Sequence, residues 1–305
     1  MTRTTTLLAA TATTVGLALG LTACSSGDAT ATGTGDGTIT VVASTNVYGD
    51  IAARVGGDLV SVTSIVDDPA ADPHSFEPSA HTQLLLSKAA LVVENGGGYD
   101  DFVDTMLDAV STDPVVVNAV DVSGKTAAAG EELNEHVWYD FGSMAKVADA
   151  IADELGTIDP DHAATYTKNA ASFGTDIDTL VAGSDAIKAA HGGEGVAITE
   201  PVPLFLLENA GLVDKTPEAF SEAIEEETDV PPTVLAETLA LFTDHAVRAL
   251  VYNEQTTGSQ TERVLAAAKK SGTPVVPVTE TMPEGTDYVS WMTANLDAVS
   301  SALAS

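Results

Sequence analysis

Cysteine is almost missing from this chain: Cys24 is the only one in 305 residues. Everything after it must fold without disulfides and cannot build a thiolate metal site, so stability has to come from an ordinary apolar core. Basic side chains are scarce too, 12 against 45 acidic ones, for a net charge of −33. Such a surface excludes nucleic acid as a partner, resists anionic lipid and concentrates cations. General solubility of an exported protein explains the same charge, which alone does not indicate a metal binder. No apolar run after Leu21 is long enough to span a bilayer.

The first residues carry a different signal. Arg3 provides a positive start, Leu7 to Leu21 (LLAATATTVGLALGL) is a short, Thr-diluted apolar stretch, and Leu21-Thr22-Ala23-Cys24 follows. This is the pattern of a secretory signal ending in a lipobox rather than of a transmembrane helix. Residues 1–23 are expected to be removed, leaving Cys24 with a diacylglyceryl group, and two acyl chains suffice for stable anchoring. Residues 24–37 (CSSGDATATGTGDG) form a flexible polar tether.

From Thr38 onward, short apolar runs alternate with helical stretches. Thr38 to Ser44, Leu59 to Val66, Ala90 to Glu94 and Pro114 to Asn118 are predicted strands; Val47–Gly56, Ala80–Lys88 and Asp100–Val110 are predicted helices. Strands that are apolar throughout, separated by helices of about ten residues, indicate parallel βαβ units. Two helices without strands follow, Ser143–Leu155 and a long one over Pro160–Ala190 whose apolar positions are diluted by Thr, Ser and Asp. That dilution suits a helix spanning between lobes rather than filling a core.

Alternation then resumes, with strands at Gly195–Thr199, Ala249–Asn253 and Pro274–Thr279 and helices between and after them, the last over Asp287–Leu303. The expected fold is α/β: a lobe over 38–157, a connecting helix over 158–192 and a second lobe over 193–305.

Four short motifs at predicted strand ends carry possible metal donors: DPHSFEPS with His74, NEHVWYD with His136, ITEPVPLF with Glu200 and PVTETMP with Glu280. Two imidazoles and two carboxylates suit a borderline divalent cation, and the two negative charges neutralise it. In open α/β sheets, ligands lie beyond the carboxyl ends of the strands. Each residue also has a plain reading. His74 is an idle loop histidine braced by Pro73 and Pro78, and His136 a surface-turn histidine beside a core Trp138. Glu200 reads as a helix cap, Glu280 as an exposed strand-end acid, and Glu254 competes with it for the fourth position. His81, His162, His191 and His245 match no motif and are taken as surface or helix-end residues.

The combination resembles the cluster A-I substrate-binding lipoproteins of zinc/manganese ABC importers, the ZnuA/TroA/PsaA-like group. The likeness rests on DPHSFEP, NEHVWYD, the strand-end Thr199-Glu200, Thr279-Glu280 and the late segment VYNEQTTGSQTERV…GTPVVPVTETMPEGTDYVSWM, and runs from about residue 38 to 303. It implies that His74 and His136 on the first lobe and Glu200 and Glu280 on the second hold one ion across a cleft. It also implies an ABC permease and its ATPase as partners, an extracytoplasmic, lipid-anchored location, a monomer, and no enzymatic activity or organic cofactor.

The chain departs from the pattern in three places. It has Glu200 where zinc-specialised members often carry His, no histidine in the segment SGKTAAAGEEL, and Glu280 in place of the common Asp. Two carboxylates and the missing His-rich loop lean toward Mn²⁺ over Zn²⁺ as cargo, although raw affinity favours zinc. The competing expectations are an exported zinc-dependent hydrolase, which usually keeps an open water position and a nearby base, and a surface adhesin of the same family.

Overall fold

The computed structural model describes residues 37–68, 76–127 and 132–305. Cys24, the expected signal and nearly all of the tether lie outside that range, as does His74.

The first lobe consists of β1 (Ile39–Thr45), α1 (Asn46–Gly56), β2 (Val60–Val66), α2 (Ala80–Leu86), β3 (Leu91–Glu94), α3 (Phe102–Leu107), β4 (Val115–Asn118) and α4 (Ala119–Ser123). Its strands are all parallel in the order β2-β1-β3-β4, with Val41 opposite Leu91 and Val92 opposite Val116. Burial explains the sequence pattern. Central β3 (LVVE) is buried at every position, so it reads as a continuous apolar run, whereas the early part of edge strand β2 alternates half-buried Val with exposed Ser and Thr. After β3, Gly96, Gly97 and Gly98 all have positive φ, and a Cβ on Gly96 would strike the Asn118 amide. Only glycine fits that turn without strain.

α5 (Phe141–Ile158) and α6 (Ala163–His191) follow. The Asp140 side chain caps α5 by accepting from Ser143 N at 3.2 Å. α6 buries Tyr166, Ala170, Phe173, Ile177, Leu180, Ser184 and Ile187, a strict alternation of four- and three-residue steps. All but Ser184 belong to the largest core cluster, shared with α1, α5 and strands of both lobes. The long helix therefore does contribute to the core, through a seam narrow enough that its overall amphipathicity is weak.

The second lobe repeats the plan with β5 (Gly195–Ile198), α7 (Leu204–Asn209), β6 (Val213–Asp214), α8 (Glu218–Glu225), α9 (Pro232–Thr243), β7 (Leu250–Asn253), α10 (Ser259–Ser271), β8 (Val275–Val278) and α11 (Tyr288–Leu303). Its parallel order β6-β5-β7-β8 matches the first sheet. In each sheet the chain crosses to the other side of the first strand, between β1 and β3 and between β5 and β7. Such reversals open a crevice at the carboxyl ends. The elements that sequence did not predict, α4 and β6, are five and two residues long, too short to show a period.

Hydrogen bonds tie the lobes together beneath the crevice. Tyr139 OH donates to Thr279 O (2.7 Å), Tyr288 OH to Trp138 O (2.6 Å), and Tyr288 N to Asp50 Oδ2 (3.0 Å). The Asn46 amide exchanges bonds with the Met282 backbone at 2.8 and 2.9 Å. Among the described residues, no helix is long and apolar enough to cross a membrane.

Candidate metal centre

His136 sits in the segment between α4 and α5, and the backbone holds it before any ligand arrives. Asp100 accepts from Asn95 N and Gly96 N, both at 2.7 Å, and Tyr48 OH donates to Asn95 Oδ1. Asn95 Nδ2 then donates to Glu135 O at 3.0 Å, which fixes the residue just before the histidine. The imidazole is fully buried, edge-on to Trp138 at 5.0 Å between ring centroids. Its Nδ1 lies 2.8 Å from Asn134 Oδ1, which also accepts from His136 N at 3.1 Å. An oxygen acceptor there keeps the proton on Nδ1, so Nε2 carries the lone pair of the neutral ring.

Glu200 directly follows β5 and is 3% exposed. It does not cap α7, whose N-cap is Pro203 without any side-chain bond. Asn253 and Thr256 lie close enough to favour the charged form of Glu200, yet its buried Oε2 has no hydrogen-bond partner among the described residues. Glu280, just beyond β8, is 2% exposed rather than the exposed acid of the plain reading. Asn253 Nδ2 donates to its Oε1 (2.9 Å) and Tyr99 OH to its Oε2 (3.2 Å), while its backbone N donates to Gln255 Oε1. Glu254 points outward and is exposed.

The electrostatics show these groups to be neighbours. Burial first, then Glu225 and Glu280, pushes the Glu200 carboxyl up to about 8. Burial opposes charge on His136, but Glu225 outweighs it, with help from Glu135 and Glu280, and the imidazole is pushed up to about 9.

Glu225 is the residue that sequence reasoning missed. It ends α8, and its Oε1 lies 3.3 Å from His136 Nε2. Glu135, His136 and Glu225 form a group of donors all within 4.8 Å of one another. Beside it lies a cavity of about 410 Å³ whose lining includes Glu132, Glu135, Glu218, Glu222, Glu225 and Glu226. One signal was available: the run Glu225-Glu226-Glu227 stands at a helix C-terminus, where the macrodipole disfavours carboxylates.

Residues 41–302 match the family described as zinc-uptake complex component A, periplasmic (ZnuA). The chain belongs to that family. Among curated relatives, it is 28% identical over 142 residues to the manganese-binding lipoprotein MntA of Halalkalibacterium halodurans, a stretch covering 47% of either protein. It is thus matched over about half the length of that relative. A putative metal-binding protein of Treponema pallidum is 24% identical over 279 residues, 86% of each chain. Among solved structures, the periplasmic zinc-binding protein TroA of Treponema pallidum superposes with a TM-score of 0.74 at 18% identity, covering 88% of this chain and 99% of that one. The fold is that of two parallel-sheet α/β lobes joined by a long helix. This is a family of uptake components and not of enzymes, so the exported-hydrolase alternative finds no support here.

Of the sequence-predicted donors, His136, Glu200 and Glu280 are buried, and Glu280 acts electrostatically on the other two, while the close donor group holds His136 with Glu135 and Glu225. His74 lies outside the described residues, and Glu254 faces solvent. His81, His162 and His245 are exposed and His191 is half-buried at the end of α6, as expected of residues outside the site.

Proposed function

We propose that this protein captures a divalent transition-metal ion, Mn²⁺ or Zn²⁺, between its lobes outside the cytoplasm and delivers it to an ABC permease for import. The observation that carries this reading is the Glu200 carboxylate, buried with Oε2 unpartnered among the described residues and crowded by Glu225 and Glu280. A buried, uncompensated carboxylate is costly, and a 2+ ion at that point relieves the repulsion. The ligands are His74, His136, Glu200 and Glu280, two from each lobe, with the lobes as delimited by sequence. His136 is oriented for coordination, its Nδ1 bonded to Asn134 and its Nε2 toward the acids. Relatives named as manganese-binding and zinc-binding support a cargo of this class.

Anchoring through a lipid on Cys24 and action as a monomer belong to the same reading. The lipoprotein name of the MntA relative supports the anchor. Among the metals, two carboxylates beside two imidazoles and the lack of a His-rich loop favour Mn²⁺ as physiological cargo, while Zn²⁺ is expected to bind more tightly in vitro.

The test is metal analysis of protein stripped by chelator and reloaded. The wild type should retain one equivalent, and His136→Ala and Glu200→Ala should retain none while unfolding cooperatively. Retention of a full equivalent by both variants would refute the site.

A further inference from the structure

The acid beside His136 belongs to none of the four motifs. With Nδ1 committed to Asn134, Nε2 is the ring nitrogen left for an ion, and it faces Glu225 Oε1 at 3.3 Å. Two donors bound to one cation at about 2.1 Å each stand roughly 3.0–3.4 Å apart for octahedral to tetrahedral angles. The observed spacing is therefore that of a shared ion as well as that of an ion pair. Glu225, like Glu135, is a donor of this group that reaches the cavity from which an ion would arrive. Its side chain is 15% exposed where that of His136 is 0%, and it lines the acidic cavity together with Glu135 and Glu222.

Helix polarity points the same way. Glu225 closes α8, with Glu226 and Glu227 following, and three acids at a carbonyl-rich terminus are mutually and dipolarly unfavourable. A cation removes both penalties.

We propose that Glu225 is a metal ligand, bonded to the captured ion alongside His136 Nε2, and that it takes the ion from the acidic cavity into the buried site. This rests on the capture function proposed above and adds a fifth protein donor to it. When the ion arrives, Nε2 has to give up to solvent the proton it shares with Glu225, after which Nε2 and the Glu225 carboxylate are both free to hold the ion.

The competing role is that of an ion-pair partner which merely occupies Nε2 in the metal-free protein. The two roles predict opposite results for Glu225→Gln. A partner that competes with the ion raises affinity or leaves it unchanged when neutralised. A ligand lowers it, and since loss of an outer-sphere partner already costs 10–100-fold, a drop of about tenfold or more is expected.

The experiment titrates Zn²⁺ against a chromophoric chelator in full-chain wild type, Glu225→Gln and His136→Ala, and records the visible spectrum of each Co²⁺-loaded protein. Matched thermal unfolding of the metal-free forms shows that the variants are folded. Weaker Zn²⁺ binding with an altered Co²⁺ spectrum in Glu225→Gln supports ligation. Unchanged or tighter binding with a wild-type spectrum, while His136→Ala loses the ion, overturns ligation by Glu225 and leaves the capture site standing. If wild type and His136→Ala behave alike, both readings fall together.

Discussion

The Asn253 side-chain amide donates to Glu280 Oε1 at 2.9 Å and to Thr256 Oγ1 at 3.3 Å, so one neutral residue at the end of β7 ties the late acid to the segment that follows the strand. Asn253 is itself 1% exposed and anchored by its backbone N to Thr199 Oγ1 at 3.0 Å. Asn253→Ala should destabilise the metal-free protein by about 1–3 kcal/mol, the usual cost of leaving buried acceptors unpaired. Metal affinity should fall roughly 10–100-fold as the Glu280 carboxylate loses its orientation. Urea unfolding and chelator competition measure the two effects, and unchanged affinity would remove Asn253 from the positioning shell.

Protonation makes a second prediction. Glu94 is raised to about 7 and Glu200 to about 8, both mainly by burial, and His136 to about 9 by Glu225 against the effect of burial. Each of these groups binds a proton more tightly in the folded chain than in the unfolded one. Between about pH 4.5 and 9 the native state thus holds more protons, and stability of the metal-free protein should fall as pH rises through that window. The contribution of His136 is complete below about pH 6.5 and lost as pH passes about 9. Metal binding needs Nε2 and the carboxylates deprotonated, so affinity should climb over the same range and binding at pH 7 should release protons. Thermal melts across pH with and without Zn²⁺, and calorimetry in buffers of different ionisation enthalpy, check both. A metal-free melting temperature that rises from pH 6 to 9 would contradict the assignment.

The two late acids separate cleanly. Glu254→Ala should leave metal binding and stability within about 0.5 kcal/mol of wild type, as for other exposed positions. Glu280→Ala should cost most of the affinity, measured by the same competition. The reverse outcome makes Glu254 the ligand.

The base of the crevice can be probed through Tyr288→Phe, which leaves the Trp138 carbonyl without its 2.6 Å donor. A loss of about 1–3 kcal/mol is expected. Because Trp138 stacks edge-on to His136, the metal off-rate should rise as well. Stopped-flow chelation of preloaded protein measures it.

Much of this was legible in the sequence because the two lobes obey strong local rules. Buried parallel strands such as LVVE and LVYN read as unbroken apolar runs, and the motif residues His136, Glu200 and Glu280 stood out by their position at strand ends. The rest depends on distances that no local pattern contains. Asn253, Glu254 and Gln255 look alike as a polar string, yet the bend that follows β7 turns the first and third toward Glu280 and Thr281 and the second to solvent. Glu225 lies 89 positions from His136 and reads as one acid in a solvated helix. The heptad seam of α6 was hidden because two apolar positions in seven leave the helix mostly polar.

That seam gives a final stability test. Ile177→Ala should cost about 2–5 kcal/mol, as buried aliphatic truncations do, whereas the exposed neighbour Asp178→Ala should change little. Chemical denaturation distinguishes them.

A helix of 3.6 residues per turn carrying a strict seven-residue stripe does not present a straight face. The stripe precesses by ~20° per heptad, and from Tyr166 to Ile187 it runs three heptads, so it turns through roughly 60°. Along that length the helix packs against α5, α1 and α11. The side chains of the stripe thus fix one angular setting of the helix against its neighbours. Under the proposed capture function, rotating one lobe against the other would have to disturb that precessing seam, which favours small movements of the lobes.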